Sequence, residues 1–157
     1  MRRGCGLIAM LSRLVFVAVL VAIFLDPRAA SAAAPETEIR AVLDAQARSW
    51  NRGDVDGFMN GYARGPATEF VSGGTLTRGW QTVRDRYAKS YNNRAKMGAL
   101  TFSEVTIKLL CADVAIVDGR WQLVRTSDRP HGRFTLIFRR ESTDWRIVHD
   151  HTSVATR

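Results

Sequence analysis

Apolar residues at Ile39, Val42, Leu43, Ala47 and Trp50 recur every three or four positions, the spacing of a helix with one buried face. The segment "PETEIRAVLDAQARSWNRGD" opens with a proline and two acids and stops at Gly53, as a helix start and end should. Gln46 falls on the same apolar stripe. "DVDGFMNGY" follows at once, with Asp54 in the N-cap position and Val55, Phe58, Met59 and Tyr62 on one face. A third helix is predicted over "GWQTVRDRYAKSYNN", where Trp80, Val83, Tyr87 and Tyr91 lie three or four apart. Before it, "ATEFVSGGTLTRG" carries β-forming residues broken by Gly73-Gly74, a short strand or hairpin.

From Ala99 onward the period changes to that of strands. "LTFSEVTIKLL", "DVAIVDGRWQLVRT", "GRFTLIFRRES" and "DWRIVHDHTS" are separated by short polar breaks. Asp118-Gly119 could turn a hairpin, but apolar residues continue on both sides, so a bulge in one strand is the expectation. Helices first and an antiparallel meander after make an α+β layout.

The first 32 residues carry a different pattern. Arg2 and Arg3 precede an apolar run, "LVFVAVLVAIFL", and "RAASAAA" supplies a small-x-small cleavage pattern after Ala32. The run is about a dozen residues, short of the roughly 20 that a membrane span needs. Residues 1–32 are therefore expected to be a signal peptide, and 33–157 a single exported domain, periplasmic or secreted. An uncleaved N-terminal anchor is the alternative, and the only route by which the chain would touch a membrane. Cys111 is the one cysteine in 33–157, so that domain cannot close an internal disulfide and must be held by packing.

The net charge of +8 over 157 residues changes when the leader is set aside. Without Arg2, Arg3, Arg13, Arg28 and Asp26, 19 basic and 14 acidic residues leave +5. Only Arg139-Arg140 are adjacent, so no basic run tracks a phosphate backbone and no nucleic-acid partner is expected.

Candidate chemistry concentrates near the C-terminus. Strict alternation along "WRIVHDHTS" puts Trp145, Ile147, His149 and His151 on one face and Arg146, Val148, Asp150 and Thr152 on the other. The apolar members mark the first face as the interior, so both histidines are expected inward and Asp150 outward, near Arg139. Phe134, Leu136 and Phe138 face inward on the neighbouring strand by the same rule. An imidazole titrates near neutral pH, which makes His149 and His151 the catalytic candidates. A histidine at the end of an apolar strand also serves simply as a hydrogen-bonded core or rim residue. A metal would need further ligands beyond H-x-H, and only Glu69 and His131 are of the right kind, so no metal or cofactor is expected.

The segments "SWNRGDVDGFMNGY", "TRGWQTVRDRY", "GRFTLIFRR" and "WRIVHDHTS" resemble the SnoaL-like group of the nuclear-transport-factor-two-like superfamily, which includes ketosteroid isomerase. The ending "WRIVHDHTS" is also similar to that of the association domain of calcium/calmodulin-dependent protein kinase II. The resemblance implies a strongly bent antiparallel sheet wrapped over the N-terminal helices as a cystatin-like cone with a central pocket. Aligned on "SWNRGD", the isomerase's oxyanion-holding tyrosine falls at Gln46, its base aspartate near Val71, and its second acid near Thr135 or Leu136. All three groups are missing, which argues against steroid isomerisation. Glu69 is the only substitute base nearby.

Two function classes follow. One is a small-molecule pocket protein, binding or transforming a partly apolar organic molecule. Its catalytic candidates are His149 and His151, and Gln46, Trp50, Tyr62, Glu69, Trp80, Tyr91, Trp121, Phe134 and Phe138 line the pocket. Each aromatic has a purely packing alternative. The other is a non-catalytic self-association module. An outward set of Thr135, Ile137, Val148 and Thr152 would make a mixed apolar patch, from which a homodimer is expected.

Overall fold

The computed structural model describes residues 34–155. The leader expected over residues 1–32 lies outside them. The first helix, α1 (Pro35–Asn51), buries Ile39, Leu43, Gln46 and Trp50 along one stripe. Pro35 sits in its first turn, where a missing N–H costs nothing, and Glu36 and Glu38 meet the positive helix end. The chain turns at Gly53, whose φ of +85° suits glycine. Asp54 then caps α2 (Val55–Met59) by accepting the Gly57 amide at 2.7 Å. A third helix, α3 (Trp80–Ser90), and a single turn, α4 (Arg94–Met97), complete the helical layer.

Six strands form one sheet: β1 (Glu69–Ser72), β2 (Thr75–Arg78), β3 (Ala99–Cys111), β4 (Val114–Val124), β5 (His131–Glu141) and β6 (Asp144–Thr152). Their order is β2-β1-β6-β5-β4-β3. Every pairing is antiparallel except β1 with β6, which is parallel. The fold is thus the expected α+β arrangement. β4 runs unbroken through Asp118-Gly119; the bulge lies on its partner β3, where the register shifts between Ser103 and Thr106 and Glu104 takes a φ of +51°. Gly119 is required for a different reason, since a Cβ there would stand 2.4 Å from the ring of Phe134.

The inner sheet face packs Ala115, Val117, Leu123, Leu136, Phe138, Trp145 and Ile147 against α1 and α2. Trp50 ties the helices to each other. Its indole N–H donates to the Met97 carbonyl at 3.1 Å, and its ring meets Phe58 and Tyr91 edge-on at 5.1 and 4.6 Å.

β6 changes partners halfway along its length. Its first half pairs with the segment after α2: the Ile147 amide donates to Gly61 O at 2.9 Å, and the Ala63 amide to Ile147 O at 2.9 Å. Its second half pairs with β1, from Glu69↔His149 to Ser72↔Thr152. At the handover the β5 register jumps from Phe138↔Ile147 to Ile137↔His149, leaving Val148 as an extra residue in β6.

Candidate functional site

The extra residue at Val148 decides which side chains reach the interior, because a one-residue slip moves every later side chain to the opposite face. Asp150, placed outward by strict alternation, is instead buried at 3% exposure, and Thr152 turns inward with it. His149 and His151, expected inward, go to the outer face. The His149 ring Nδ1 lies 3.1 Å from a Glu69 carboxylate oxygen, and His151 is exposed. Asp150 is nowhere near an ion pair with Arg139, which pairs with Glu141 at 2.7 Å.

Asp150 lines a cavity of about 170 Å³ between the sheet and the helices. α1 supplies Gln46 and Trp50, and α2 with the segment after it supplies Phe58 and Tyr62. Arg86, Tyr87, Ser90 and Tyr91 come from α3 and its end, and the sheet adds Phe70, Phe102, Trp121, Phe134 and Leu136. Half-exposed Phe102, Trp121 and Thr152 and exposed Ser90 and Val154 lie at its mouth. The chain after β6 is pinned there: Trp121 Nε1 donates to Ser153 O at 2.9 Å, and the Ala155 amide to His131 O at 2.9 Å. Gly132 lets that tail pass, since a Cβ would stand 2.0 Å from the Ser153 carbonyl oxygen.

The polar centre of this aromatic cavity is a carboxylate held by two hydroxyls. Tyr62 donates to one oxygen of Asp150 at 2.6 Å, and Thr152 donates to the other at 2.7 Å. Burial raises the Asp150 pKa above the usual aspartate range, opposed by the Tyr62 and Thr152 hydrogen bonds and by the positive influence of His149 and His151. Burial also raises Tyr62 and Tyr87 well above the ordinary tyrosine value, with the Asp150 charge adding to it, so both stay protonated donors. Each carboxylate oxygen keeps a second lone pair. Asp150 can therefore accept a further O–H, N–H or proton from a molecule in the cavity.

Of the residues proposed from sequence for the pocket, Gln46, Trp50, Tyr62, Tyr91, Trp121 and Phe134 line the cavity. Three others do not. Glu69 lies on the outer face and pairs with Arg78 at 2.9 Å, because β1 alternates and it is Phe70 that points inward. Trp80 heads α3 and turns to the Met59 carbonyl, to which its Nε1 donates at 3.0 Å, while Arg64 covers its ring at 4.3 Å. Phe138 is fully buried in the core below the cavity. His131 starts β5, with its ring near the Arg129 carbonyl. Among the described residues no cluster of His, Cys, Asp or Glu could hold a metal ion. Sequence patterning left out much of the lining, and the cavity residues it missed include the polar groups Asp150, Thr152, Tyr87 and Arg86 and the rings of Phe70 and Phe102. The only sequence signal for Asp150 is its spacing to Thr152, which puts a carboxylate and a hydroxyl on one strand face.

Both histidines lie outside the cavity: replacing exposed His151 with alanine should shift stability by no more than about 0.5 kcal/mol, and replacing half-buried His149, which meets Glu69, by no more than about 1 kcal/mol. Ligand response should be unchanged. Urea melts of His149→Ala and His151→Ala check this; a loss of several kcal/mol in either would mean the ring is buried against partners it satisfies.

A curved sheet closed over helices around one aromatic cavity defines the class of protein. The model of the SnoaL-like domain matches residues 39–157, and the chain belongs to that family. It is similar to an NTF-2-like protein of unknown function from Shewanella oneidensis MR-1, with 36% identity over 76% of this chain and 99% of that one, at a TM-score of 0.74. A protein of unknown function with a cystatin-like fold from Nostoc punctiforme PCC 73102 is 15% identical over 76% of this chain and 90% of that one, TM-score 0.64. A ketosteroid isomerase-like protein from Erwinia carotovora atroseptica is 15% identical over 77% and 96%, TM-score 0.63. At 15% identity the likeness is one of fold alone. No curated protein matches the chain.

Proposed function

We propose that the chain is an exported SnoaL-like protein that binds a small, partly apolar organic molecule in the cavity, with Asp150 as its acid/base group. One observation carries this reading: Asp150 is buried among aromatic rings at the wall of a cavity and is met by hydroxyls rather than by a cation. A position that served packing alone would favour an apolar residue, since a buried charge without a cationic partner is costly. The size fits a single ring with small substituents, as an apolar cavity of roughly 150 Å³ takes up benzene. Tyr62 gives its one O–H to Asp150 and Tyr87 adds a hydroxyl to the cavity lining, so proton transfer to Asp150 from an acidic O–H, N–H or C–H is the chemistry on offer.

The test is a binding screen of small cyclic acids, alcohols and amines by NMR. The reading requires perturbed signals at Asp150, Tyr62 and Trp121. Perturbations confined to His149 and His151, or none from any compound, would overturn it.

Export rests on the apolar run and on Ala30-Ser31-Ala32. Mass spectrometry of the exported protein should find an N-terminus near Ala33, and an intact Met1 on cytoplasmic protein would contradict it. The outer sheet face supports pairing of two copies, since half-buried Ile116, Ile137, Val148 and Val71 cluster there beside exposed Leu76. Thr152, counted in that face from sequence, is not part of it.

A further inference from the structure

Arg86 brings a second charge to the cavity without neutralising the first. Its guanidinium covers the ring of Phe70 at 4.8 Å, and it donates through Nη1 to the Thr77 hydroxyl at 2.7 Å and through Nη2 to the Ser72 carbonyl at 3.4 Å. None of these partners is an anion. A guanidinium carries five N–H donors, so this one retains donors for a bound anion. In the parallel β1–β6 register Phe70 lies opposite Asp150 and Ser72 opposite Thr152. Thr77 and Phe70 lie level with Asp150 and only Ser72 lies two residues further along, so the guanidinium is displaced from Asp150 mainly across the strands, by one to two strand spacings or roughly 5–10 Å.

The cavity thus has a carboxylate on β6 and a guanidinium over β1 and β2, with the Phe70 ring beneath the guanidinium and Tyr87, Trp121 and Phe134 as further walls. Two unlike charges held apart by aromatic surface call for a molecule with the reverse polarity at its two ends. We propose that the ligand is a single-ring organic acid whose carboxylate pairs with Arg86 and whose hydroxyl or amino group, across the ring, donates to Asp150. Arg86 is then the residue that selects acids, and Asp150 the one that selects donors. That cross-strand separation brackets the span between opposite substituents of a six-membered ring. This inference rests on the cavity being a ligand site.

The probes are 3- and 4-hydroxybenzoate, with phenol, benzoate and toluene as partial matches, titrated into the full exported protein and read by calorimetry. Quenching of Trp50 and Trp121, both cavity residues, provides a second readout. One hydroxybenzoate should bind at least tenfold more tightly than phenol or benzoate. Arg86→Gln should remove the advantage over phenol, Arg86→Lys should keep part of it, and Asp150→Asn should shrink the advantage over benzoate. If phenol or toluene binds as tightly as the hydroxybenzoates, or if Arg86→Gln leaves the ranking unchanged, the inference fails while the cavity stands as a ligand site. If no probe binds, toluene included, the ligand-site reading fails with it.

Discussion

Trp50→Ala should lower the free energy of unfolding by about 3–5 kcal/mol, the range for truncating a buried tryptophan. Trp50 is 2% exposed and touches three helices besides its own. Its ring stands edge-on to Phe58, Tyr87 and Tyr91 at 5.1, 6.1 and 4.6 Å, contacts that add to simple area burial. Truncation also strips the Met97 carbonyl of the indole N–H that meets it at 3.1 Å. Against a total stability of about 5–15 kcal/mol for a domain of this kind, the variant is left marginal. Urea unfolding followed by circular dichroism gives the number. A loss below about 1 kcal/mol would show that the helices are joined by other contacts.

Asp150→Asn should behave in the opposite sense, and differently at each pH. An acid whose pKa is raised by folding binds its proton more tightly in the folded chain. Its contribution to stability is fully present below the unfolded aspartate value and is lost as pH rises through the higher folded value. An asparagine side chain does not titrate, so the variant escapes that loss. Its stability relative to the natural protein should therefore climb from about pH 4 upward and level off once Asp150 is ionised in the folded chain. Glu69 works the other way: Arg78 and His149 hold its pKa below the ordinary glutamate value, so its small, exposed contribution is present at neutral pH and fades in acid. Any proton transfer should collapse in Asp150→Asn, and ligands that donate to Asp150 should bind more weakly, even where the fold is firmer, the trade expected of a functional buried charge. Urea melts of both proteins from pH 4 to 8 decide this, and a constant deficit for the variant at every pH would refute it.

The helices were legible because each buries a stripe that sequence spacing displays: Ile39, Leu43 and Trp50 on α1, Phe58 and Met59 on α2, Val83 and Tyr87 on α3. The four long strands were legible from their two-residue period, and β4 passes through Asp118-Gly119 as the flanking apolar residues require. What stayed hidden was the handover of β6 from the segment around Tyr62 to β1. No local pattern announces it, since the partners lie some eighty residues away in the chain, as the Tyr62–Asp150 bond shows. One inserted residue at Val148 then exchanges the faces of two histidines and an aspartate, so the alternation that correctly buries Trp145 and Ile147 misplaces everything after them. Glu69 went astray by a simpler route. Nearness to the family's base position marks it as a candidate, while the burial of Phe70 fixes it on the outer face.

The claim on which the account depends is that Asp150, and not a histidine, is the acid/base group inside the cavity. Carbon-detected NMR titration of the side-chain carboxyls tests it most directly. The account predicts that Asp150 titrates above the ordinary aspartate range, and that Tyr62→Phe, which removes the 2.6 Å donor, raises it further. A carboxyl at Asp150 that titrates at the ordinary value and does not respond to Tyr62→Phe would contradict it.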